Sequence, residues 1–341
     1  MMRPATLLLL VAGLALGTDA AAAEWDCPKP AGIAEPVPCG DAELARLETQ
    51  VTAALGAAAA KLSPPAQGRL RDSQAGWRKY LAVLCLGEPQ PGGAGMTDCL
   101  KQEYDIRRSQ LVRAVESTGG ITFYRVERFE AHAPRLAEFV TRPVLTEIAW
   151  PQLDRAVTPA QRRWNETIAK TAEELAVPLD RLDPDTDVAI DYQIDSVTPD
   201  AVQTIFSRDL YIHGAAHGDD TALNSIFLLQ PARPLAAEDL FDLAKPWIPA
   251  LAELAYQALI HAAHADDWRL QAHDAASLQV LVAEPGRWLL GHDGLTLHFD
   301  PYDVAGYAAG SHDVLVPWPA LAPYLRAVPV LRLPAQQATA R

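Results

Sequence analysis

Helical periodicity stops at Ser117-Thr118-Gly119-Gly120, and strand alternation takes over beyond it. That switch limits the fold more than any other feature. One part of the chain has helical stripes to bury, and the other has to build a sheet. Before the switch, Leu44, Leu47, Val51, Leu55, Ala58 and Leu62 recur at spacings of three and four, which predicts a helix from about Asp41 to Leu62. Ser63-Pro64-Pro65 ends it. A second helix carries Leu70, Trp77, Leu81 and Leu84 on one face, and a third carries Leu100, Tyr104, Leu111 and Val115. Glu88-Pro89-Gln90-Pro91-Gly92-Gly93 reads as the loop between them.

After the switch, Thr122 to Phe129 reads as a strand, and Thr158 to Leu175 as a helix with Pro159 in its first turn. Val188, Ile190, Tyr192 and Ile194 alternate with Ala189, Asp191 and Gln193, the pattern of a half-buried strand. Val202 to Ile212 and Ala222 to Leu229 are further strands. Leu240 to Ala263 is helical, with Pro246 and Pro249 disturbing its start. Asp293-Gly294 sits between two apolar runs as a hairpin turn. Val314 to Val316 is a last strand, and Pro319 to Ala327 a closing helix. Consecutive strands outnumber βαβ units, so the fold class is α+β, with three helices followed by a mixed domain on a largely antiparallel sheet.

The chain begins with a targeting pattern. Arg3 precedes the apolar run Leu7 to Leu16, and Ala21-Ala22-Ala23 offers small residues for cleavage. The run is too short to span a membrane. Residues 1–23 are therefore expected to be a signal peptide, 24–118 a helical domain and 119–341 an α+β domain, in a periplasmic or secreted protein without a membrane span. The four cysteines fit an oxidising compartment. Cys27, Cys39, Cys85 and Cys99 admit three pairings, and Cys27–Cys39 with Cys85–Cys99 closes the shortest loops. Zinc is the competing use, but no Cys-x-x-Cys spacing is present.

Residues 27–116 resemble the LprI-type lysozyme-inhibitor family. The resemblance rests on Cys39, then Gln74-x-x-Trp77-x-x-Tyr80 leading to Cys85, then Cys99 followed by Arg107 and Leu111. The first helix departs from that family's polar Asn-x-x-Tyr. Residues 122–330 resemble the extracellular domain of RsiV-type anti-sigma factors. Three stretches carry this: Trp150-Pro151-Gln152-Leu153 with Asn165 on the next helix, His213-Gly214-Ala215-Ala216-His217-Gly218, and Phe299-Asp300-Pro301-Tyr302-Asp303-Val304-Ala305-Gly306-Tyr307-Ala308-Ala309-Gly310. Ala215 stands where that family has a second glycine. The RsiV-type domain is a lysozyme receptor, so both resemblances imply lysozyme as the partner. The chain lacks the RsiV-type membrane span and cytoplasmic segment, so signalling by that route is not implied.

Charge agrees with a basic partner. The chain holds 29 basic and 43 acidic residues, a net charge of −14. Of the acidic residues, 30 lie beyond the switch. Such a surface disfavours nucleic acid and anionic membrane, and speeds association with a basic protein. There is no G-x-S-x-G, P-loop, H-E-x-x-H or Rossmann glycine pattern, so the chain reads as non-enzymatic and free of cofactors. The candidate partner-binding residues are His213, His217, Asp219, Asp220 and Tyr302. The histidines stand in a glycine-rich stretch after a strand, where spacing by four is not diagnostic of a metal site. Pro301-Tyr302 and Tyr307 form an aromatic turn.

The reading is an exported cell-envelope binding protein that binds and inhibits a lysozyme-like muramidase by surface occlusion. The alternative is a metal-dependent or accessory factor acting on peptidoglycan, with His213 and His217 holding the metal. Two disulfides leave no free thiol. Thiol titration of denatured, unreduced mature protein is expected to find none, and N-terminal sequencing is expected to begin near Glu24.

Overall fold

The computed structural model describes residues 41–85, 95–134, 142–176 and 185–327. The segment expected to be a signal peptide, Cys27 and Cys39 lie outside the described residues. Among the described residues, no helix is long and apolar enough to cross a membrane.

Helix α1 (Ala42–Ala59) starts at Asp41, whose carboxylate accepts the amides of Glu43 and Leu44 at 2.9 and 3.0 Å. This satisfies two of the orphan donors at its N-terminus. Leu44, Leu47, Val51 and Ala58 form its buried stripe. Helix α2 (Pro64–Leu84) begins with prolines in its first turn and buries Leu70, Gln74, Trp77 and Leu81. Helix α3 (Met96–Val112) buries Leu100, Tyr104, Arg107 and Leu111. Cys85 and Cys99 form a disulfide with Cα atoms 5.6 Å apart, tying the end of α2 to the start of α3. α1 packs chiefly on α3.

Val115, expected on the third helix, lies instead in β1 (Val115–Thr118). β1 pairs with β2 (Ile121–His132), Thr118 facing Ile121, so the switch in periodicity is a tight hairpin turn. Gly119 and Gly120 have φ of 57° and 74°, which side chains rarely adopt. A Cβ on Gly119 would also lie 2.6 Å from the Val197 side chain.

Next come β3 (Val144–Leu153), helix α4 (Pro159–Ala176), β4 (Thr186–Val197), β5 (Ala201–Ile212), β6 (Asp219–Leu228) and β7 (Arg233–Pro234). β1 to β7 form one sheet in chain order, and every pairing is antiparallel except β3 with β4, which α4 bridges as a crossover. β3 has no counterpart in the sequence reading. Its Pro151 and its broad burial hide the alternation of a strand.

Asn165 on α4 explains why the Trp150-Pro151-Gln152-Leu153 stretch travels with it. Its side chain accepts the Leu153 amide at 2.8 Å and donates to the Leu153 carbonyl at 3.2 Å. Gln152 donates to the Asn165 carbonyl at 2.9 Å. α4 lays Trp164, Ile168 and Ala172 on one face of the sheet, against Phe123, Ile148, Val188 and Phe206.

The C-terminal part contains α5 (Ala237–Leu240), α6 (Trp247–Ala265), α7 (Gln279–Val282), β8 (Trp288–Leu290), β9 (Gly294–Phe299), β10 (His312–Pro317) and α8 (Trp318–Leu321). The helix expected over Leu240 to Ala263 is split into α5 and α6, because Pro246 stands at the start of α6. β8, β9 and β10 form a second, antiparallel sheet. Its core joins Leu251, Leu259, Trp288, Leu297 and Phe299 with Ile226 and Leu228 of β6. Gln203 of β5 ties the sheets together, accepting the Leu290 amide at 2.8 Å and donating to its carbonyl at 3.0 Å.

The helices meet the large sheet through a buried ion pair. Arg107 is fully buried and donates to Glu127 of β2 at 2.6 Å and to Gln74 at 2.8 Å. Burial opposes the Glu127 charge, but Arg107 and Arg125 outweigh it and hold the carboxyl below the usual range. The stability Glu127 contributes is thus present above the ordinary carboxylate pKa and is lost as pH falls through its lowered native value. Arg107→Ala would leave Glu127 buried with only part of its compensation. Urea unfolding at neutral pH is expected to show a loss of about 3–5 kcal/mol.

Candidate functional site

Alternation divides the large sheet into an apolar face and a polar face. Val188 and Ile190 point towards α4, so Asp187, Ala189 and Asp191 take the opposite face. α2 covers that polar face at β2, where Ser73 donates to the Glu127 carbonyl at 3.1 Å. Further along, β3 to β6 remain uncovered and floor a cleft of about 470 Å³. Tyr80 lines one end and Tyr307 lines it beside β6, with Glu147, Asp187, Asp209 and Asp220 between them.

Two of these carboxylates, Glu147 and Asp187, have hydrogen-bond or ion-pair partners within the chain. Glu147 accepts the Tyr80 hydroxyl at 2.5 Å. Asp187 faces Arg142 at 2.5 Å and the His213 ring at 2.8 Å. Arg142 also lies over the Tyr211 ring, 5.0 Å from its centroid. Crowding shows in the proton affinities. Burial first, then Glu147, raises Glu103 of α3 to about 7. Burial is also the leading cause that raises Glu147, against the Tyr80 hydrogen bond that lowers it. Asp209 is raised by burial and by Asp220, its cross-strand neighbour.

The connection between β5 and β6, with the first two residues of β6, carries four of the five residues chosen from sequence. Gly218 allows the strands to close there, since a Cβ would sit 2.9 Å from the Leu210 carbonyl oxygen. His213 and His217 serve different groups. The His213 side chain is buried on Asp187. The His217 ring stacks on Tyr307 at 3.8 Å, and its Nε2 lies 3.4 Å from the Tyr302 hydroxyl. Tyr302 is exposed and holds φ at 72°, an uncommon conformation for a bulky residue. Asp220 enters the cleft, while Asp219 faces Arg208 at 3.8 Å. The structure thus gathers His217, Tyr302 and Asp220 near Tyr307 and places His213 with Asp187. Among the described residues, no group of three or more His, Cys, Asp or Glu side chains could hold a metal ion.

Sequence reasoning missed Tyr80, Glu147, Asp187 and Asp209. The alternation in β4 does place Asp187 opposite Val188, but only the strand order brings it beside Asp209.

A second polar cluster holds the C-terminal wall. His298 of β9 contacts Asp313 at 2.7 Å and Asp300 at 3.2 Å. Asp300 also accepts the Ala222 amide of β6 at 2.8 Å. Arg287 braces the following turn through Asp303 at 2.5 Å.

With this geometry in place, the class of protein is an α+β scaffold with an acidic, tyrosine-lined cleft. Residues 238–319 match the family model DUF3298, described as a protein of unknown function. That stretch includes the Phe299–Gly310 motif, and the helical region lies outside it. Two solved DUF3298 structures are similar to the chain. The one from Bacteroides fragilis is 16% identical, covers 62% of this chain and 96% of its own, and has a TM-score of 0.47. The one from Pseudomonas aeruginosa is 16% identical, covers 61% and 95%, and has a TM-score of 0.45. No curated protein matches the chain.

Burial opposes the charged His298 ring, but Asp300 and Asp313 outweigh it and raise its pKa to about 9. A raised histidine stabilises the fold fully below its ordinary value of 6.5. That contribution falls away as pH rises through about 9. NMR titration is expected to place the His298 midpoint near 9, and His298→Gln is expected to flatten the pH dependence of stability over this window.

Proposed function

We propose that the chain is an exported cell-envelope protein that binds a basic, lysozyme-like muramidase and inhibits it by covering its surface. One observation carries this reading. The cleft between Tyr80 and Tyr307 is lined by Glu147, Asp187, Asp209 and Asp220, in the region that holds 30 of the 43 acidic residues. An acidic concavity with aromatic walls suits a cationic protein surface, because the charge guides the encounter and the rings provide desolvated contact. The resemblances to LprI-type and RsiV-type modules support lysozyme as the basic partner. The Cys85–Cys99 disulfide agrees with export to an oxidising compartment. Inhibition needs no chemistry from this chain. A cleft docked on a muramidase keeps the glycan from entering.

Steering and contact separate by rate. Binding kinetics with an animal-type lysozyme are expected to show association slowing as ionic strength rises towards about 0.15 M, where the Debye length is about 8 Å. Dissociation is expected to change less. His217→Ala removes the ring stacked on Tyr307, so it is expected to speed dissociation and leave the salt dependence of association unchanged. Absence of a complex at low salt, with muramidase activity unaffected by excess protein, would overturn the reading.

A further inference from the structure

Of the described non-glycine residues with positive φ, Tyr302 is the aromatic one. Its φ is 72° and its ring is 60% exposed, so burial within the chain does little to offset an uncommon backbone conformation. The turn holds it there all the same. Asp303 accepts the Asp300 amide at 2.7 Å and faces Arg287, while Asp300 accepts the Ala222 amide. Strain sustained by a braced turn is found at ligand clamps. The ring also has company. Tyr307 lies 5.7 Å away between centroids, and His217 stacks on Tyr307 at 3.8 Å. The His217 Nδ1 is 2.7 Å from the Gly218 carbonyl oxygen, so Nδ1 carries the proton, and the Tyr302 hydroxyl donates to Nε2 at 3.4 Å. Three rings from two loops are thereby held as one platform.

The platform borders a second cavity of about 640 Å³, within the roughly 300–1,000 Å³ of small-ligand sites. Tyr307 lines it, and Pro301 and Ala308 add apolar surface. Its polar groups are mixed in kind. Ser207, Thr221 and Ser311 line it, and among the described residues none of their hydroxyls has a hydrogen-bond partner. Arg208 lines it too, with its Nε buried and unpartnered and its Nη2 3.8 Å from Asp219, beyond hydrogen-bond distance. Asp209 and Asp220 supply acceptors. A cation needs acceptors alone, and an anion needs donors alone. Donors, acceptors and hydroxyls that do both, set beside open aromatic surface, match an uncharged ligand with many hydroxyls and one apolar face. A sugar ring has that chemistry, because equatorial hydroxyls leave its C–H bonds on the flat faces.

We propose that the platform of His217, Tyr302 and Tyr307, with the cavity beside it, is a saccharide subsite for a β-linked, gluco-configured glycan. This goes beyond the muramidase binding proposed above and does not depend on it. One pyranose lays its C–H face on the tyrosine rings and turns its hydroxyls to Ser207, Thr221, Ser311 and Arg208. Arg208 gives the site a donor that hydroxyl oxygens can accept from, and the carboxylates accept from the hydroxyls in turn. The site favours a chain over a single sugar. The cavity shares Tyr307, Asp209 and Asp220 with the cleft of about 470 Å³, so a flat β-linked ribbon can continue past the platform.

The test uses the full mature chain with no muramidase present, since a muramidase takes up glycans itself. Cellotetraose and chitotetraose are the probes, with sorbitol and argininamide as controls. Saturation-transfer NMR is expected to show at least one tetramer bound, with the strongest transfer to its ring C–H protons, and sorbitol unbound. The tetramer is expected to bind at least tenfold more tightly than its monosaccharide. Amide shifts are expected to gather in residues 213–218 and 300–311. Tyr302→Gly removes the platform ring and relieves the backbone at once. It is expected to weaken the tetramer at least tenfold without lowering the melting temperature, which separates binding from folding. Tyr302→Phe keeps the stacking face and is expected to bind nearly as wild type. Failure of both tetramers to bind at millimolar concentration would overturn the proposal. So would equal affinity of wild type and Tyr302→Gly. Binding of argininamide with neither tetramer bound would also overturn it, and would assign the rings to a cation.

Discussion

The ion pair between Arg107 and Glu127 is the constraint on which the rest of the molecule depends. Both side chains are buried, and they come from opposite sides of the switch between helix and sheet. Charges removed from water are tolerated only when geometry and further hydrogen bonds compensate them. Gln74 and Gln110 give Arg107 two more acceptors, and the rings of Trp77 and Phe129 lie 5.8 and 5.3 Å from its guanidinium. Arg125 supplies Glu127 with a second cation and continues to Asp191 of β4. The chain of contacts fixes where the helices sit on the polar face of the sheet. Where they stop, the cleft begins.

The cleft follows from the two-residue period of strands. Apolar residues of β4 and β5 turn towards α4, so the charges between them must turn the other way. The helices cover part of that face, and β9 with its following turn closes another side. Asp300 is central to the closure, because it joins the amide of Ala222 to His298 and so couples the two sheets. A surface that would otherwise be flat is thereby given walls. Both walls offer tyrosine, and the floor offers carboxylates.

The candidate residues were partly legible in the sequence. The glycine-rich stretch after β5 and the aromatic turn after β9 stood out as segments with special backbone needs. The structure brings His217, Tyr302 and Tyr307 together there. His213 and His217 looked like a pair by spacing, yet their rings serve Asp187 and Tyr307 respectively. In an irregular connection between strands, a separation of four carries no shared face. Glu147 escaped notice because β3 itself did: its parallel pairing and Pro151 obscure the alternation that marks a strand. Tyr80 belongs to the stretch that carries the LprI-type resemblance, and its hydroxyl reaches the cleft only because α2 lies on β2.

Local patterns determined the α+β class, the hairpin around Asp293-Gly294 and the stripes that each helix buries. These depend on spacing within a few residues, where propensity and periodicity act directly. The Cys85–Cys99 bridge belongs with them, since it closes a short loop between successive helices. Tertiary structure alone decided that Arg107 meets Glu127, that Asp187 lies beside Asp209, and that Tyr80 and Tyr307 line the same cleft. Those contacts depend on strand order, on the one parallel crossover and on helix placement. All three are set by burying apolar surface across the whole fold, and no window of neighbouring residues encodes that sum.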